Sequence, residues 1–178
     1  MQVNPKYIAI NKLSILYMLR CAAIELRENQ LIRLVADHEV MEYFELMRTL
    51  AELEEDKFID ITPSIGGNLI AINEIGQTTL DFFKKELSYT WRQKMEAFFE
   101  ENRSALSLES KLYYDYHRIG EGQYRLTMRI LERNFPIFEV MMICSSKEEA
   151  DRFARGWQKN ALDVYAKTVT SIVKNIEF

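Results

Sequence analysis

The chain has 178 residues and a mass of 21.1 kDa, with 23 Lys and Arg against 27 Asp and Glu, a net charge of −4. That length holds one generous domain or two small ones. Hydrophobic residues at 48% and charged residues at 28% exclude a disordered chain and a collagen-like fibre. No apolar run reaches the roughly 18–20 residues of a membrane span, because Arg20 and Glu25 interrupt the best stretch.

The start, Met-Gln-Val-Asn-Pro-Lys, has neither a basic nor an apolar leader region, so no signal peptide is expected. Cys21 and Cys144 lie in apolar segments and read as buried thiols of a reducing cytoplasm. With 6 Gly and 3 Pro there are few places to turn, so helix should dominate.

In chain order, Asn11 caps a first helix that is apolar nearly all round, through Leu13, Ile15, Leu16, Tyr17, Leu19, Ala22 and Ala23. Asn29 caps a short second helix that stops near Asp37-His38. A third runs from about Met41 to Glu55, with Phe44, Met47, Leu50, Ala51 and Leu53 on its inner side. Its solvent side then carries Glu42, Tyr43, Glu45, Arg48, Thr49 and Glu52. Two strands, Lys57–Thr62 and Asn68–Ile72, flank the breaker cluster Pro63-Ser64-Ile65-Gly66-Gly67, a hairpin signal. Asn73 caps a fourth helix through Leu80, Phe82, Phe83 and Leu87.

After a weak boundary at Ser88–Tyr89, Thr90 caps a helix carrying Trp91, Met95, Phe98 and Phe99 and ending near Asn102. Three strands follow by alternation: Leu112–Ile119, Gln123–Glu132 and Ile137–Cys144. Gly120-Glu121-Gly122 and Arg133-Asn134 supply the turns of an antiparallel meander. Ser146 with Glu149 three residues on is a capping box. It opens a last helix through Phe153, Trp157, Ala161, Val164, Thr168 and Ile172.

Helix, helix, helix, hairpin, helix is the order of a winged helix-turn-helix. The join Ile72-Asn73-Glu74-Ile75-Gly76-Gln77-Thr78-Thr79-Leu80 resembles the strand-to-helix join of MarR-like and PadR-like regulators. There Asn caps free N–H groups and Gly admits close backbone packing. With "Trp-Gln-Lys-Asn-Ala" at Trp157–Ala161, the whole chain resembles a clostridial-type family of small bacterial winged-helix proteins filed as a domain of unknown function. That resemblance implies a fold and a role in transcription regulation. It brings no catalytic or ligand residues.

Catalytic chemistry is hard to find. The two histidines, His38 and His117, are in no metal-ligand spacing and read as surface residues. Gly66-Gly67 lacks the Gly-Lys-Ser/Thr of a phosphate loop. Arg20 beside Cys21 could lower a thiol pKa, yet the apolar helix around it favours an inert thiol. No enzyme, cofactor or metal is expected.

A DNA surface would use helix 3 and the wing, with Tyr43, Arg48, Thr49, Lys57 and Asn68 as its candidates. Electrostatics oppose it. Residues 1–87 hold 9 Lys and Arg against 14 Asp and Glu, net −5, and the wing tip from Pro63 to Asn68 carries no cation. The rival reading is a winged helix that contacts another protein; a third is a small-ligand sensor. In the second half, Lys111, Tyr113, Asp115, His117, Arg125, Thr127 and Arg129 form an outward sheet face. Phe153, Trp157, Val164 and Ile172 mark the last helix as a dimer or core element.

The expectation is therefore an α+β protein with two parts. Residues 1–87 form a winged helix-turn-helix, and residues 88–178 an αβββα dimerisation or sensing unit. The expected function is a cytoplasmic, non-enzymatic, homodimeric regulator binding double-stranded DNA, with no membrane partner.

Overall fold

The computed structural model describes residues 5–132 and 135–174. Among these, six α-helices and two three-stranded antiparallel sheets form two compact units, 1–110 and 111–178. The first unit runs α1 (Pro5–Ala22), β1 (Leu26–Arg27), α2 (Glu28–Asp37), α3 (Tyr43–Glu55), β2 (Ile59–Thr62), β3 (Leu69–Ile72), α4 (Glu74–Phe83) and α5 (Tyr89–Lys111), with a 3-10 turn at Lys84–Glu86. The second holds β4 (Leu112–Gly120), β5 (Gln123–Glu132), β6 (Phe135–Cys144) and α6 (Lys147–Val173).

Helix α1 is the hub of the first unit. Ile15, Leu16, Tyr17, Met18 and Leu19 are all at most 1% exposed, so five successive residues, more than a full turn, meet other elements. That is why its apolar positions show no single stripe. Its start differs from the expectation. Pro5 opens the helix, where a missing N–H costs nothing, and Asn11 lies buried inside it as no cap at all. Asn29 is likewise inside α2, whose N-cap position is Arg27.

The two-residue strand β1 carries no sequence periodicity and was not expected. It pairs Leu26 with Ile70 and Arg27 with Leu69, giving the sheet order β1-β3-β2. The β2–β3 hairpin turns through Gly66 and Gly67 at φ of 89° and 116°, which side-chain-bearing residues rarely adopt. Asn73 caps α4 as expected, its Oδ1 accepting from Gly76 N at 3.0 Å.

Helix α5 is nine residues longer than its expected end near Asn102, and the compact units part between Ser110 and Lys111, not at Ser88–Tyr89. The physical reason is burial. Met95, Phe99 and Leu106 point into the first unit's core, and the Tyr17 hydroxyl donates to the Glu96 carboxylate. Burying three such side chains contributes roughly 5–9 kcal/mol, against a domain's total of about 5–15 kcal/mol. A fragment ending at Leu87 should therefore show no cooperative melt by circular dichroism, whereas one ending at Ser110 should fold. A cooperatively melting 1–87 fragment would contradict this packing account.

In the second unit the meander order is β4-β5-β6. Leu126, Met128 and Ile130 of β5 face α6 together with Leu112, Tyr114 and Tyr116 of β4 and Phe138, Val140 and Met142 of β6. The alternation expected from sequence holds on all three strands. The β4–β5 turn uses Gly122 at φ 66°, while the expected Arg133-Asn134 turn lies outside the described residues. Ser146 Oγ accepts from Glu149 N at 3.1 Å, and the Glu149 carboxylate accepts from Ser145 N and Oγ at 2.7 and 2.6 Å. Those bonds hold the Glu149 carboxyl below its usual range. Ala150, Ala154, Trp157 and Ala161 then form the buried stripe of α6.

Candidate functional site

Helix α3 is the element whose outer face the sequence offers as a binding surface. Its buried residues are Leu46, Thr49, Leu50 and Leu53, an i, i+3, i+4, i+7 stripe. The inner face is thus rotated from the expected one. Phe44, assigned to the core, is 84% exposed, and Thr49, assigned to the surface, is buried. The sequence offers two overlapping apolar stripes, through 44-47-51 and through 46-50-53. Packing against α1 selects the second, so Thr49 leaves the list of residues able to touch a partner.

The exposed N-terminal end of α3 carries an aromatic pair, Tyr43 and Phe44, edge to face at 5.6 Å. Arg48 is exposed too, with its Nε 3.7 Å from Glu52. Carboxylates surround these groups. Lys12 of α1 bridges Glu52 at 3.0 Å and Asp56 at 2.8 Å, so this cation is already engaged. The Tyr7 hydroxyl donates to Glu45 at 3.0 Å.

Lys57 is exposed just beyond α3, at φ 60°, where the chain reverses and Phe58 N donates to Leu53 O at 2.9 Å. Asn68, the hairpin candidate, is half-buried and donates to Glu28 at 2.9 Å, which ties it to α2. Of the five candidates, then, Tyr43, Arg48 and Lys57 are open to a partner. Residues 1–110 sum to 12 Lys and Arg against 18 Asp and Glu, or −6; residues 111–178 sum to 11 against 9, or +2.

Clefts open among the described residues of the first unit. One of about 480 Å³ lies among Leu19, Arg20, Ile24, Glu25 and Gln77. A more apolar one of about 260 Å³ is lined by Ile10, Leu13, Leu16, Phe58 and Phe83. Another, about 240 Å³, holds Cys21, Glu96, Glu100 and Arg103. Burial pushes the Cys21 thiol up to about 11, so it stays protonated at neutral pH despite Arg20 and Arg103. His38 is no free surface residue either. Its Nε2 is buried without a hydrogen-bond partner among the described residues, and its ring sits edge-on to Phe98 at 4.5 Å. Burial and Lys94 lower its pKa. Among the described residues, no group of three or more His, Cys, Asp or Glu could hold a metal ion. No helix among them is long and apolar enough to cross a membrane.

The outward sheet face of the second unit is largely self-paired. Arg129 donates to Glu139 and, at 3.1 Å, to Asp115, and lies 5.8 Å from the Tyr113 ring centroid. Thr127, on the same face by alternation, is buried at 7% exposure; Arg125 and His117 are exposed. On α6, Trp157 is buried and stacks on Phe138 at 6.2 Å, and Phe153 packs half-buried beside it. Val164 and Ile172 are 38% and 65% exposed. The four residues expected to form a dimer or core element therefore divide: Phe153 and Trp157 serve their own sheet, while Val164 and Ile172 face outward.

An α+β protein of two compact units, offering an exposed helix face and hairpin and no cluster of metal-binding side chains among its described residues, is the class this geometry defines. The chain belongs to the family described as domain of unknown function DUF4364, matched over residues 11–172. No curated protein and no solved structure matches it.

Proposed function

We propose that the first unit is a winged helix-turn-helix and that the chain is a non-enzymatic transcription regulator contacting double-stranded DNA through α3 and the β2–β3 hairpin. The observation that carries this reading is the topology. The order α1-β1-α2-α3-β2-β3, with the sheet ordered β1-β3-β2, leaves α3 and the hairpin as neighbouring outward elements. In such a unit α3 would lie in the major groove. Copies of the chain would assemble as a two-fold dimer through the outer side of α6, around Leu162, Val169 and Ile172.

Phosphate neutralisation drives most DNA affinity, and α3 brings only Arg48, with Lys57 beyond it. Binding to random genomic fragments should therefore be detectable at about 50 mM salt and fade by about 200 mM. Arg48→Ala should cost about 1–3 kcal/mol and relax specificity if the guanidinium reads a base. Glu42→Gln and Glu45→Gln should strengthen binding by removing repulsion. Absence of binding at low salt by the wild type and both glutamine variants would remove DNA from the account.

A second reading has its own support in the 84% exposure of Phe44 beside Tyr43 and the carboxylates. An aromatic pair ringed by acid fits a basic protein partner with an apolar pocket. Under that reading the two glutamine variants lose partner capture, and Phe44→Ala loses more. The opposite signs of the glutamine variants separate the readings.

A further inference from the structure

The sheet of the second unit has two edges, β4 and β6, and they are built differently. Edge strands are kept from pairing with other chains by charges, bulges and proline. β4 is guarded: it carries Asp115, His117 and Arg118, and its register against β5 shifts between Arg118 and Gly120. β6 has its guards only at the start, in Pro136 and a register shift that leaves Ile137 unpaired. From Phe138 to Cys144 its pairing with β5 is unbroken.

That stretch is apolar on both faces. Met141 and Ile143 stand outward at 60% and 54% exposure. Phe138, Val140 and Met142 turn toward α6 yet stay half-buried, whereas Leu126, Met128 and Ile130 beside them on β5 are buried. Glu139 is the one charge in the ten residues of β6, and Arg129 of its own sheet already pairs with it. Nothing in the stretch repels a second strand.

The charges also choose the partner and the register. An antiparallel copy of β6 centred on Glu139 would set two carboxylates directly opposite each other, which is unfavourable. Centred on Met141, the whole of 138–144 overlaps its copy, and Glu139 lies opposite Ile143 of the second copy. Arg125 is the β5 neighbour of Ile143 and is exposed. Two strand spacings would then separate Glu139 from Arg125 of the second copy, about 10 Å between backbones and within reach of both side chains. The two-fold axis repeats that row, so each carboxylate gains a cation.

We propose that β6 is the seam of a dimer, two copies pairing their β6 strands antiparallel about Met141 to make one six-stranded sheet. It rests on the two-fold dimer of the regulator reading and names the strand that joins the copies. The axis stands perpendicular to the sheet, so both α6 helices lie on one side of it. The guarded β4 edges become the outer edges, so the assembly stops at two copies.

Sedimentation equilibrium on the full chain tests the seam. Ile143→Glu sets a carboxylate against Glu139 of the second copy, and Ile143→Lys sets a cation there, on the same exposed side chain. Both variants should keep the wild-type circular dichroism spectrum, and the dimer dissociation constant should be about tenfold higher for the glutamate. In a Glu139→Gln background that difference should disappear. Equal dissociation constants for the two variants beside the native Glu139 would overturn the pairing. Ile172→Ala that dissociates the dimer while both Ile143 variants match wild type would also overturn it, leaving the α6 contact standing. A wild type that stays monomeric at all concentrations would overturn the seam and the dimer together.

Discussion

Gly76→Ala should destabilise the first unit by about 3 kcal/mol, although glycine to alanine inside a helix ordinarily gains up to about 1 kcal/mol. The reversal comes from where α4 starts. An ideal Cβ at Gly76 would stand 3.0 Å from Ile72 Cγ1 and deep inside the contact distance of the Phe58 carbonyl oxygen. That oxygen is backbone and already accepts from Asn73 N at 3.2 Å. Relief would require sliding the first turn of α4 away from the start of β2, which breaks the 3.0 Å Asn73 cap as well. Gly156 in the middle of α6 is the matched control, since a Cβ there meets nothing within 4 Å. Gly156→Ala should stabilise by about 0.5–1 kcal/mol. Urea midpoints of the two variants would show opposite shifts. Equal shifts would sink the close-approach account.

Trp157→Ala should cost the second unit about 3–5 kcal/mol. The indole is 4% exposed, stacked on Phe138, which in turn meets the Tyr165 ring edge to face at 5.3 Å. Its Nε1 is buried with no hydrogen-bond partner among the described residues, so truncation there forfeits packing and no polar bond. The flanking buried residues of the helix are Ala150, Ala154 and Ala161, too small to close the gap. Because the ring is buried by its own sheet, the loss should not vary with protein concentration, unlike a residue at a dimer contact. A loss that shrinks as concentration rises would put Trp157 at an interface. A melting temperature unchanged by the substitution would contradict its burial. Ile172→Ala, at 65% exposure, gives the complementary measurement: little change in the isolated unit, and weaker self-association if α6 joins two copies.

Much of the second unit was legible because its signals are local. The alternation of Tyr124, Leu126, Met128 and Ile130 against Arg125, Thr127 and Arg129 shows β5 and its inner face directly, and Ser146 with Glu149 marks the start of α6. The Asn73–Gly76 join is equally local, a cap and a close approach within four residues. Helix α3 was legible as a helix but not as a face. Phe44 and Thr49 exchanged places because two apolar stripes overlap in its sequence and only contact with α1 chooses between them.

The sequence by itself determined the α+β class, the order of the long elements, and the near absence of cations on α3 and the hairpin tip. These depend on side-chain periodicity, capping and charge, which act over a few residues. Tertiary structure alone decided the rest. Strand β1 is two residues long and exists only because β3 offers its edge. Helix α5 belongs to the first unit because Met95, Phe99 and Leu106 find the core built around α1. Arg27 reads in the sequence as one more charge before a helix. It lies buried and donates to the Ser110 and Ile65 carbonyls, 83 and 38 residues away along the chain, and proximity of that kind is produced by folding and written in no local pattern.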